Sequence, residues 1–222
     1  MSEIRLIEIK EEILSDNKNE ADNLRKFLKD RKTFLLNLMS SPGAGKTTLI
    51  LKTIEHLKDR LRIGVLEADI DSMVDAEKIA QAGIPAVQIR TGGFCHLDAG
   101  MVMKGLEAFD LDSLDLIFIE NVGNLVCPAE FDTGAIRNAM ILSVPEGDDK
   151  PLKYPLMFSV CHALVVNKID YLGISDFDMR AARDRAKTLN PGITIFEASG
   201  KTGQGVDAWA RWIADEVESF LK

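Results

Sequence analysis

From residue 33 onward the chain repeats one pattern: a short apolar run, a turn, then a stretch with helical periodicity. The apolar runs predict strands over Thr33–Met39, Arg62–Glu67, Ala86–Ile89, Leu114–Glu120, Asn138–Val144, Ala163–Asn167 and Ile193–Glu197. Several are apolar nearly throughout, as strands covered on both faces are. Helical patterns lie between them, over Thr47–Lys58, Met73–Ala82, Leu97–Phe109, Asp176–Leu189 and Val206–Leu221. Such alternation specifies an α/β domain with a mostly parallel central sheet and helices on both faces. Residues 1–31 read differently. They are charged and helix-prone, with Leu24, Phe27 and Leu28 at helical spacing. They predict an N-terminal helical extension packed on the domain that occupies 32–222.

Composition narrows the function. The chain has 222 residues with 27 Lys+Arg against 35 Asp+Glu, a formal net charge of −8. A surface of that sign does not suit nucleic acid or an anionic membrane. No apolar run approaches the ~20 residues of a membrane span. The start of the sequence carries no secretory signal pattern, and three cysteines do not form a disulfide framework. A cytoplasmic protein is expected.

In a parallel sheet, ligands bind beyond the carboxyl ends of the strands, and the sequence motifs fall there. The first strand runs into Ser40-Ser-Pro-Gly-Ala-Gly-Lys-Thr47. This is the phosphate-loop pattern, with Ser40 where a glycine usually stands. Gly43, Ala44 and Gly45 would curl backbone N–H groups onto phosphate oxygens. The following helix start would add its dipole. Lys46 would reach the β- and γ-phosphates, and Thr47 the Mg²⁺, with Thr48 beside it. The sixth strand delivers Asn167-Lys168-Ile169-Asp170, the guanine-reading motif, in which the Asp accepts two N–H bonds that adenine does not offer. Ser199-Gly200-Lys201 follows the seventh strand, where a second base-contacting loop belongs. GTP or GDP is the ligand these motifs read.

Carboxylates at two further strand ends complete that chemistry. Glu120 opens Glu120-Asn-Val-Gly123, and Asp69 and Asp71 lie in Ala68-Asp-Ile-Asp71, with Asp75 beyond them. Glu120 and Asp69 are candidate Mg²⁺ holders, directly or through water. Asn124 rather than Gln follows Gly123, so Asp69 or Asp71 is the candidate for orienting the attacking water, with Asp71 preferred. For Asp75, a helix-capping or solvated role is an equal alternative.

Cys95 and His96 follow the third strand, and Cys127 lies in the loop after Gly123. Two thiolates and an imidazole suit Zn²⁺ or Ni²⁺. On spacing alone they also fit two buried cysteines and a helix-capping histidine. Cys161-His162 is set aside, because neighbours in a strand point to opposite faces.

The combination of residues 41–48, 68–72, Cys-His-Leu-Asp-Ala at 95–99, Glu-Asn-Val-Gly-Asn-Leu-Val-Cys-Pro at 120–128 and 146–155 resembles the hydrogenase nickel-incorporation GTPases, the HypB family, of the SIMIBI class of P-loop GTPases. The resemblance implies a slow GTP hydrolase acting as a metallochaperone switch. It implies Cys95, His96 and Cys127 as ligands of nickel or zinc, and a homodimer through the metal face. It further implies a HypA-type metallochaperone and a hydrogenase large-subunit precursor as partners. No Cys precedes Cys95, so the family's N-terminal Cys-rich nickel motif is not seen. The alternatives are a urease-type nickel GTPase, opposed by the Cys-His-Leu run, and a metal-binding or storage protein with little turnover, opposed by Lys46, Thr47 and Asp170.

Overall fold

A computed structural model describes residues 9–69 and 74–222, with side chains from residue 14 onward. Seven parallel strands form one sheet: β1 (Phe34–Ser40), β2 (Ile63–Asp69), β3 (Ala86–Arg90), β4 (Leu116–Glu120), β5 (Arg137–Ser143), β6 (Ala163–Asn167) and β7 (Thr194–Glu197). Their order is β3-β2-β4-β1-β5-β6-β7, an α/β architecture with helices on both faces. The α-helices are α1 (Ile9–Arg31), α2 (Lys46–Leu57), α3 (Val74–Gln81), α4 (Ala99–Leu106), α5 (Cys127–Glu130), α6 (Lys150–Lys153), α7 (Pro155–Val160), α8 (Met179–Leu189) and α9 (Val206–Leu221).

The central strand explains the two-sided core. Phe34, Leu36 and Leu38 of β1 face α2 and α9, packing with Leu49, Ile50, Trp209 and Ile213. Leu35 faces the opposite side, against Leu24 and Leu28 of α1 and Val102 and Leu106 of α4. Met39 joins a third cluster with Phe158 of α7 and Ala182 and Ala186 of α8. Alternation along one strand therefore feeds both layers. The one polar side chain inside β1 before its last residue, Asn37, is satisfied by its neighbours. It accepts from the Asn121 amide and donates to Asn138, each at 3.1 Å. That row of amides ties β1 to β5 and to the tip of β4.

The predicted elements differ from the observed ones chiefly at their ends. The helix expected from Leu97 starts at Ala99, because Asp98 caps it by accepting from the Met101 N–H at 2.7 Å. The helix expected from Asp176 starts at Met179 for the same reason, with Asp178 accepting from Ala181. Helices α5, α6 and α7 carry no periodic signal because they are four to six residues long. Each has Pro in its first turn, the position proline tolerates. Cys127, expected in a loop, is the first residue of α5. Among the described residues no helix is long and apolar enough to cross a membrane.

Candidate nucleotide and metal site

Ser41–Gly45 wraps around the start of α2. Gly43 and Gly45 take positive φ, 73° and 95°, the region where an L side chain is strained. Ser40 does not; it ends β1 in extended backbone. A glycine is not needed there, and the hydroxyl accepts from Lys46 Nζ at 3.2 Å.

The segments expected to read the base are bonded to this loop. Asn167 donates to the Ala44 carbonyl at 2.9 Å and accepts from the Gly200 N–H at 3.0 Å. Lys168 Nζ donates to the Gly43 carbonyl at 2.7 Å, so its stem crosses toward the loop. A Cβ on Gly45 would lie 2.7 Å from Asn167 Nδ2, so the two segments touch. Ser199 Oγ donates to Asp170 Oδ1 at 2.6 Å, aiming that carboxylate. Residues 43–48, 167–170 and 199–201 thus meet in space although they are distant in sequence.

Beside Lys46 lies a cleft of about 310 Å³ lined by Pro42, Gly43, Glu67, Asp69, Asp75, Glu120 and Gly123. Thr47 Oγ1 donates to Glu120 Oε1 at 2.7 Å. Glu120 is 4% exposed and its Oε2 has no partner. Burial pushes its carboxyl up to about 7, against the pull of Lys46 and Thr47. Burial also lowers the Lys46 ammonium, opposed chiefly by Glu120. Asp75 pairs with Lys78 at 2.8 Å in the first turn of α3. Asp71 lies outside the described residues.

Glu67 was not among the expected site residues. It stands opposite Glu120 in the β2–β4 register and is 3% exposed, with Oε2 unpartnered. Burial, then Glu120 and Asp69, raise its carboxyl to about 8. The signal was available: Glu67 and Asp69 sit two apart in an otherwise apolar strand, hence on one side of it. Two buried carboxylate oxygens without partners, next to the Thr47 hydroxyl, form an oxygen donor set that fits a hard divalent cation such as Mg²⁺.

The Cys–His set lies farther along the same edge. Cys95 Sγ and Cys127 Sγ are 2.8 Å apart as free cysteines, and Cys95 Sγ lies 3.9 Å from His96 Nδ1. The three candidate donor atoms lie within 4.8 Å of one another in a single chain. The Cys127 thiol is raised by its hydrogen bond with Cys95 and then by burial, and the His96 imidazole is lowered by burial. Asp98, not His96, caps the helix that follows, so the imidazole is spare for a ligand. Its flat face stacks on Phe131 at 3.7 Å.

Asn124 joins the two segments. Its amide donates to the Cys95 carbonyl at 3.4 Å and its oxygen accepts from the Val126 N–H at 2.8 Å. A Cβ on Gly123 would fall 2.9 Å from Pro42 Cα, so this loop leans directly on the phosphate loop. Cys161 is placed elsewhere. It is buried before β6, with its thiol pushed up by burial. Neighbouring His162 accepts from the Asn138 N–H at 3.0 Å.

Residues 34–197 match the family model of the CobW/HypB/UreG nucleotide-binding domain. The chain is 46% identical over 224 residues to the hydrogenase maturation factor HypB of Azotobacter chroococcum, covering 100% of this chain and 73% of that protein. Among solved structures, HypB from Helicobacter pylori in complex with nickel superposes with a TM-score of 0.88 at 34% identity, covering 93% and 97% of the two chains. HypB from Archaeoglobus fulgidus gives 0.85 at 38%, covering 91% and 99%.

Proposed function

The chain belongs to the HypB hydrogenase maturation factors of the CobW/HypB/UreG family, and from that premise we propose that it is a slow GTP hydrolase whose nucleotide state controls delivery of nickel to a hydrogenase large-subunit precursor. The observation that carries the proposal is the route from phosphate loop to metal donors. Gly123 rests on Pro42, and Asn124 beside it bonds the Cys95 segment and the start of α5. A γ-phosphate that displaces Glu120–Gly123 acts on Cys127 within one turn of chain.

Guanine is read by Asp170, held by Ser199, while Asn167 and Lys168 brace the loop that cradles the phosphates. Lys46 lies at the head of the cleft for the β- and γ-phosphates. Thr47 and Glu120, with Asp69 directly or through water, would hold Mg²⁺, which when bound supplies positive charge against the phosphate oxygens. Asn124 is committed to the metal segments, which supports assigning water orientation to Asp69 or Asp71. Asp71→Ala should lower turnover more than GTP affinity.

Cys95, His96 and Cys127 are the nickel or zinc ligands in this reading. Phe94 and Val126, 57% and 52% exposed, flank them. An apolar rim around a metal-binding face fits a second copy related by a two-fold axis. A HypA-type metallochaperone is the proposed donor of the metal.

Sedimentation with GDP or a non-hydrolysable GTP analogue, with and without Ni²⁺, tests this. The analogue should favour dimers and Ni²⁺ should favour them further. Cys127→Ala should lose the metal effect while keeping GTP. Because coupling is reciprocal, Ni²⁺ must change GTP affinity by the factor that GTP changes Ni²⁺ affinity. Equal Ni²⁺ affinity in the GDP and GTP forms would overturn the switch.

A further inference from the structure

We infer that α1 sets the orientation of the His96 imidazole, acting through Asp132 and Phe131; the inference rests on His96 being a metal ligand. The contacts form one unbroken series. Asn17 is 6% exposed in α1. It grips the Asp132 backbone at two points, donating to the carbonyl at 2.9 Å and accepting from the N–H at 2.8 Å. Arg25, two turns along the same helix, pairs with the Asp132 carboxylate and donates to the Ala135 carbonyl at 3.2 Å. Asp132 also accepts from the Gly134 N–H at 2.9 Å, closing a tight turn. Gly134 has φ +74°, and a Cβ there would fall 2.6 Å from Leu24 Cδ2. The 131–135 segment is therefore pressed onto α1 by packing as well as by hydrogen bonds.

Phe131 immediately precedes this clamp, and its ring lies 3.7 Å from the His96 ring at an interplanar angle of 20°. Phe94 meets the His96 ring edge-on, at 6.3 Å and 86°. A parallel face fixes the plane in which an imidazole can turn, and so fixes where its nitrogens point. Among the described residues, the His96 ring has no hydrogen-bond contact other than that with Cys95. A metal-ligating histidine is ordinarily oriented by a hydrogen bond from its other nitrogen. Here a stacked aromatic ring, anchored from α1, performs that task.

Phe131, Asp132, Asn17 and Arg25 are thus positioning residues for the metal site. Among the described residues, no hydrogen bond or ion pair links them to the phosphate loop or to residues 167–170 and 199–201. Disturbing them should alter metal binding and leave nucleotide binding alone.

The experiment titrates full-length protein with Co²⁺ and Ni²⁺, following the visible spectrum of the Co²⁺ form and GDP affinity in parallel. Phe131→Leu keeps an apolar side chain but loses the flat face. It should weaken Co²⁺ and Ni²⁺ about 3- to 10-fold, the scale of an aromatic pair, and move the Co²⁺ ligand-field bands toward those of His96→Ala. Phe131→Tyr restores the face and should restore both. Asn17→Ala should shift the bands in the same direction by a smaller amount. Unchanged GDP affinity certifies that each variant is folded. Wild-type spectra and affinity in Phe131→Leu, with Cys127→Ala deficient in metal, would overturn the positioning role alone. Wild-type metal binding in Cys127→Ala and His96→Ala would instead overturn the metal site on which it rests.

Discussion

The two ends of the site are built in opposite ways. At the nucleotide end, the recognition side chains are already bonded to protein: Asn167 to Ala44 and Gly200, Lys168 to Gly43, Asp170 to Ser199. At the metal end, the donor atoms of Cys95, His96 and Cys127 face chiefly one another, half-exposed, between exposed apolar side chains. The first arrangement is ready before its ligand arrives, so binding costs little ordering. In the second the two thiols can shift cheaply, because few bonds hold them, while the His96 ring stays stacked on Phe131. The proposed switch would use both: one end that reads a ligand without yielding, and thiols that move when the first is filled.

Removing the fixed charge should break the comparison most severely. Lys46→Ala leaves Glu120 and Glu67 without their counter-charge and the phosphates without a cation. GTP affinity should fall by about 2–5 kcal/mol, the cost of truncating one partner of a buried charge pair, as calorimetric titration will show. Metal binding by the GDP-free protein should survive.

Asp170→Asn exchanges a double acceptor for a group with one misplaced donor. GTP should weaken by about 2–4 kcal/mol from unmatched buried polar groups, and xanthine nucleotide should gain. Competition among GTP, XTP and ATP measures it; equal wild-type affinity for ATP and GTP would refute guanine reading.

The buried acids supply a third, smaller effect. Glu67 holds its proton up to about 8, against an ordinary 4.5. The native state therefore binds that proton more tightly than the unfolded chain, and stability is lost as pH rises from about 4.5 to about 8. Without nucleotide or Mg²⁺, thermal unfolding between those limits should fall more steeply in wild type than in Glu67→Gln. The difference should be largest at the alkaline end of that range. Parallel curves would show that Glu67 is not strained. Mg²⁺ with GTP should flatten the wild-type slope, since an opposing charge lets the carboxylate ionise in place.

Smallest is Cys161→Ala. This thiol is buried away from both ends, so its loss should cost about 1 kcal/mol of stability. Metal stoichiometry and GTP affinity should stay as they are, measured by mass and by titration. Loss of metal here, with retention in Cys127→Ala, would reverse the choice of ligands.

What could be read from the sequence follows the same division. The phosphate loop, Asn167–Asp170 and the Cys–His residues stand at strand ends in contiguous runs, and a parallel sheet gathers strand ends. Spacing and residue type point directly to the phosphate loop and to Asn167–Asp170, whereas for Cys95, His96 and Cys127 spacing fits buried cysteines equally and the metal reading comes from the family resemblance. The departure at Ser40 is explained only by the backbone: an extended last strand residue makes no demand for glycine. Glu67 ends its apolar run and so looks like the strand's solvent boundary; only its two-residue spacing from Asp69 hints at a shared face, and its burial depends on β4 lying alongside. Phe131 and Asn17 carry no linear signal at all, since they meet their partners across loops and helices far away in the chain. Helices of one turn, such as α5, are too short for any period to show.

The bonds of Asn167 also impose an order on synthesis. Its amide closes on Ala44, which leaves the ribosome early, and its oxygen waits for Gly200, which leaves late. Domains emerge amino end first, at about 5–20 residues per second. A nascent chain therefore exposes its phosphate loop for several seconds before the base-reading half exists to brace it. In the proposed reading, tight guanine nucleotide capture becomes a mark of a finished chain, and a truncated product, however well its first strands pair, would not hold the nucleotide.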